Sequence, residues 1–97
     1  MENTRSTKRI QATEINGEIR VRRSYDIRLD SKTGQKTDVS PVICMCCHKD
    51  IFHVSELANG DIVGPGCDGL IAWPAYRIGR TLNAKQADYA RSRGLLA

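Results

Sequence analysis

The sequence predicts a small α+β domain, and three features carry that prediction. All four cysteines and both histidines fall between Cys44 and Cys67. Apolar residues recur at period two from Ile19 to Leu29, the pattern of a half-buried strand. Asn83-Ala-Lys-Gln86 has the form of a capping box, and Gly94 is placed to end the helix that it opens. Six soft ligands in one short window have an economical explanation, since a tetrahedral Zn²⁺ needs four sulfur or nitrogen donors. The expected architecture is therefore a zinc-stabilised domain with an N-terminal antiparallel β-meander, a zinc knuckle and a C-terminal helix.

At 97 residues the chain has room for one domain. Only 5% of its residues are aromatic, so a small core needs a staple, and a metal ion supplies one. Two disulfides are the competing staple, but Cys46 and Cys47 are adjacent, which makes two unstrained bridges awkward. The polar start, Met1 to Arg9, has no signal-peptide character, and no apolar run approaches the roughly 18 residues of a membrane span. The expectation is a soluble, cytoplasmic protein in a reducing compartment.

Taken in order, residues 1–8 are expected to be a flexible tail and residues 9–97 a single zinc-binding domain. A meander over 9–43 opens with a strand at Ile10 to Ile15, and Asn16-Gly17 is a strong hairpin signal. In the next strand Ile19, Val21, Tyr25, Ile27 and Leu29 share a face, with Glu18, Arg20, Arg22, Ser24, Asp26 and Arg28 opposite. Arg23 interrupts the apolar face, which marks a bulge, a functional arginine or a side chain snorkelling at a rim, the last being the plainest reading. Ser31-Lys-Thr-Gly34 reads as a turn, and Gln35 to Ile43 as a returning strand that Pro41 pushes towards an edge. The zinc module spans 44–72, and a short helix at Asp68 to Ile71 must stop or kink at Pro74. Over the helical region 73–97, Thr81 or Asn83 can cap the helix, and Ala84, Ala87 and Ala90 or Arg91 form a narrow face with Tyr89 beside it. Trp73 and Tyr76 are expected in the core or over the metal, with a base-stacking surface as the alternative.

Within the module, Cys44-x2-Cys47 has knuckle spacing, and Gly64-Pro65-Gly66 is a tight turn able to aim Cys67 inwards. His53 is the first choice for the fourth ligand, followed by His48 and then Cys46, whose position between two other ligands crowds the backbone. The predicted metal set is Cys44, Cys47, His53 and Cys67; the bland alternative is inert cysteines buried as small hydrophobes. The order Cys-x2-Cys, short strand, then Gly-Pro-x-Cys resembles small zinc-binding modules of phage and mobile-element proteins, of the zinc-ribbon or treble-clef kind. The resemblance covers residues 43–72. It departs from a regular ribbon because position 70, where a second Cys-x2-Cys would end, holds Leu70.

No catalytic pattern is expected. The zinc-deaminase order of His-x-Glu before Pro-Cys-x-x-Cys is not met, and neither a His-Glu-x-x-His motif nor a phosphate-cradling lysine loop occurs. Charge is segregated instead. Residues 1–43 carry nine Lys/Arg against six Asp/Glu, 44–72 one against four, and 73–97 five against one. Basic flanks suit an anionic partner, so a regulatory nucleic-acid-binding role, DNA foremost, is the leading expectation. Its contacts would come from Arg20, Arg22, Arg28, Arg77, Arg80, Lys85, Arg91 and Arg93. The alternative is a protein-interaction module of phage type that inhibits or redirects a host protein.

Overall fold

The computed structural model describes residues 9–96, so the expected tail over 1–8 lies outside it. In chain order the strands and helices are β1 (Ile10–Gln11), β2 (Val21–Asp26), β3 (Val42–Ile43), β4 (Asp50–Ile51), β5 (His53–Leu57), β6 (Ile62–Val63), α1 (Cys67–Ala72), β7 (Thr81–Leu82) and α2 (Ala84–Ser92). Single 3₁₀ turns sit at Ala12–Glu14 and Pro74–Arg77. The strands form three small antiparallel sheets: β1 with β7, β2-β5-β6, and β3 with β4. No helix among the described residues is long and apolar enough to cross a membrane.

The expected meander is corrected here. Residues 10–19 do not fold back on β2; they lie across the C-terminal part of the chain. Ile10 pairs with Leu82, and the Ala12, Asn16 and Ile19 N–H groups donate to the carbonyls of Arg80, Leu95 and Ile71. The return over 35–43 touches its predecessor through one bridge, Leu29 with Lys36, beyond the turn at Asp30 to Gly34. Its end, Val42-Ile43, pairs forwards with Asp50-Ile51. The partner of β2 is β5, from the middle of the chain, because Val21 needs a buried neighbour and finds it in Leu57.

Arg23 marks a bulge. The register of β2 against β5 shifts between Val21, opposite Leu57, and Arg23, opposite Glu56. One extra residue reverses the facing of all that follows. Ile19 and Val21 therefore pack on the main core with Leu57, Val63, Ile71 and Ala90. Tyr25 and Ile27 instead border an apolar groove of about 300 Å³ with Val42, Ile43, Val54 and Ile62. A single apolar stripe in the sequence serves two opposite faces of the sheet.

Both helices match their terminal signals. α1 ends before Pro74, and α2 starts at the Asn83 capping box, where Gln86 N–H donates to Asn83 Oδ1 at 2.8 Å and Asn83 N–H to Gln86 Oε1 at 3.0 Å. The buried face of α2 is Ala87, Tyr89 and Ala90; Ala84 is exposed.

Candidate metal centre

The short hairpin β3–β4 is closed by residues 44–49. Cys44 N–H donates to the Lys49 carbonyl and His48 N–H to the Cys44 carbonyl, both at 2.8 Å. His48 takes φ of 65°, a left-handed conformation uncommon for a side chain larger than glycine, which lets the chain turn around the sulfurs. Met45 N–H donates to the Ile62 carbonyl and seats this turn on β6. Directly after β6 the chain passes through Gly64-Pro65-Gly66. Gly66, at φ of 88°, forms the N-cap of α1, whose first residue is Cys67.

This arrangement brings Cys44, Cys47 and Cys67 together, with their Sγ atoms all within 4.8 Å of one another. Cys44 and Cys67 are buried and Cys47 is half-buried. Donors aim at the sulfurs: the N–H groups of Cys47 and Gly64 approach Cys44 Sγ at 3.4 and 3.3 Å, and Gln86 Nε2 approaches Cys67 Sγ at 3.4 Å. Such donors favour the thiolate, the form that binds metal.

Without a cation Cys44 and Cys67 favour their protons. Donation of the Cys44 S–H to Cys67, reinforced by burial, pushes the Cys44 thiol up to about 12 despite the backbone N–H groups. Cys67 is held down by accepting that bond, but its own donation to Cys46 and its burial prevail and carry it up to about 12 as well. A bound cation would supply the positive charge these buried sulfurs lack, and the protons would leave as it binds. The three residues can hold a metal ion.

No protein-family model matches the chain, and neither a curated protein nor a solved structure was found to be similar to it.

The other predicted ligands lie elsewhere. His53 opens β5 opposite Asp26, exposed and outside the thiol trio. His48 faces a separate depression beside Lys85 and Tyr89. Cys46 is fully buried in the core and accepts from the Cys67 S–H. Gln86, unanticipated in the sequence, joins α2 to the cluster, since its amide oxygen caps the helix while its nitrogen serves Cys67. The capping-box pattern was the available signal for its position.

The predicted phosphate contacts divide sharply. Arg77 is corrected outright. It is 4% exposed, and its guanidinium donates to the carbonyls of Leu70, Ile71, Ile15 and Gly17 at 2.6, 3.1, 3.2 and 2.7 Å. Arg28 pairs with Asp26 at 2.7 Å and stacks on Phe52, holding the Asp26 carboxyl well below the usual range. Arg93 pairs with Asp61 at 2.7 Å and stacks on Tyr89, while Arg91 meets Asp88. Among the described residues Arg20, Arg22, Arg80 and Lys85, all exposed, make no close ion pair, although Arg22 lies near enough to Glu56 to help lower its carboxyl. Arg80 lies over the Tyr76 ring at 3.9 Å. Tyr76 packs against Gly69 and borders the cleft that Cys47 and Cys67 share. Trp73, expected in the core or over the metal, is 56% exposed instead.

Proposed function

We propose that this protein is a non-catalytic, zinc-stabilised module that binds nucleic acid, with DNA as the first ligand to test. The observation that carries the reading is the shared neighbourhood of Cys47, Cys67 and the Tyr76–Arg80 stack on one cleft. Knuckle hairpin, second hairpin and a helix beginning on Cys67 follow one another in the order of a treble clef, in support of zinc. Three thiolates suit zinc better than the hard cations, which prefer oxygen. Arg20, Arg22, Arg80 and Lys85 provide phosphate contacts, and the exposed Trp73 provides a face on which a base can stack.

Binding of the zinc-loaded protein to labelled DNA, titrated across salt, tests this reading. Affinity should fall steeply with salt. Trp73→Ala and Arg80→Glu should each weaken binding about tenfold, the loss of one stacked base or one phosphate contact. Salt-independent or undetectable binding would contradict it.

A protein partner is the second reading, and the apolar groove favours it. Ile43 is 55% exposed, and Val42 and Met45 stand partly exposed beside it. That surface has little to offer a phosphate backbone. Under this reading Ile43→Asp abolishes partner binding and leaves the fold intact.

A further inference from the structure

We propose that the ion held by Cys44, Cys47 and Cys67 takes its fourth donor from outside the chain, a thiolate entering through the cleft beside Cys47 and Cys67. The inference rests on the metal reading above and departs from the closed, four-ligand site that the sequence suggested.

The placement of every other soft ligand carries it. Both histidines fall outside the group of mutually close sulfurs, and Cys46, although Cys67 donates to it, is fully buried, stands outside that group and does not border the cleft. Position 70, three residues beyond Cys67 on the same face of α1, is where a helix-borne pair would present its second thiol. Leu70 stands there and lines the cleft with an apolar side chain. Burial around the trio is uneven in the same direction. Cys44 is sealed and held by two backbone N–H groups, whereas Cys47 is half-buried.

The cleft, about 490 Å³, has room for a small thiol or a cysteine side chain. Lys49 and Arg80 border it against a single carboxylate, Asp50, and Asn83 and Gln86 add amide groups. That lining favours an anionic donor, and zinc accepts sulfur readily as a fourth ligand.

Cobalt(II)-loaded full-length protein, titrated with 2-mercaptoethanol and followed by visible absorption, tests the proposal. The expected result is a saturable shift of the cobalt bands. Sulfur-to-cobalt absorption should rise by about one third as three thiolates become four in the tetrahedral site. Cys46→Ala and Asp50→Asn should leave the starting spectrum unchanged. Leu70→Cys should begin with the spectrum of the thiol-saturated wild type and ignore added thiol. A cobalt-loaded wild type that does not respond to thiol overturns the proposal while leaving the metal reading intact. A starting spectrum altered by Cys46→Ala or Asp50→Asn overturns it too, because the chain then closes its own site. Failure to bind cobalt removes the metal reading and this inference with it.

Discussion

The two ends of α1 are fastened by opposite chemistry. At its first residue, Cys67 joins Cys44 and Cys47 in a cluster of three sulfurs able to hold a metal ion. At its last turn, the carbonyls of Leu70 and Ile71 receive the guanidinium of Arg77, which also takes those of Ile15 and Gly17. The Arg77 end is complete as it stands: a cation satisfies carbonyls that a helix terminus leaves without partners. The cysteine end has its donors assembled and calls for a cation. A six-residue helix is too short to be stable on propensity alone, so both fastenings are needed to hold it. A bound ion at one end and Arg77 at the other would supplement a small core that is poor in aromatics.

The largest effect should come from the cysteine end. Cys44→Ser or Cys67→Ser should abolish metal binding and unfold the domain, since the ion's binding energy, roughly 10 kcal/mol for structural zinc, is folding energy. A variant that keeps a native circular dichroism spectrum and one bound ion would break the comparison. Arg77→Ala should cost about 3 kcal/mol in denaturant melts, because four carbonyls lose a charged donor in a buried setting. Arg77→Lys should recover only part of this, as an ammonium lacks the planar fork. A loss at Arg77 close to that of an exposed arginine would mean that the carbonyl end contributes nothing special.

Gly69→Ala tests the middle of the same helix. A Cβ there would lie 2.5 Å from the Tyr76 ring, so the ring must move, at a cost of about 1–3 kcal/mol. Recovery of that loss in the double variant with Tyr76→Ala would sharpen the assignment.

The smallest effect concerns Asp61. The Arg93 N–H holds its carboxyl below the ordinary value, burial opposes this, and the Tyr89 hydroxyl at 2.6 Å adds to the lowering. A depressed carboxylate stabilises the fold above its unfolded pKa, and that stability is lost as pH falls through the folded value. The wild type should exceed Asp61→Asn by about 1 kcal/mol at neutral pH, given partial exposure. The gap should close as pH drops below about 4. A gap independent of pH would remove the charge from the explanation.

What was legible in the sequence was local. The Asn83 capping box, the stop before Pro74 and the Cys44-x2-Cys47 turn each depend on a few neighbouring residues, and each stands where the pattern placed it. Pairing was not legible. Asn16-Gly17 reads as a hairpin, yet Asn16 N–H is satisfied by Leu95, near the other end of the chain. The period-two run marks strand residues, and its break at Arg23 admits a bulge among other readings, but only the register against the partner strand decides for the bulge. Arg77 resembles any surface arginine until four distant carbonyls close on it. His53 fits by spacing, and spacing along a chain does not show where a strand carries its first residue.

Native mass spectrometry of the purified protein before and after a chelator, with circular dichroism on the same samples, tests the central claim most directly. The account predicts one bound zinc per chain, removed by the chelator together with the folded spectrum. A chain that carries no metal and keeps its fold after chelation would contradict it.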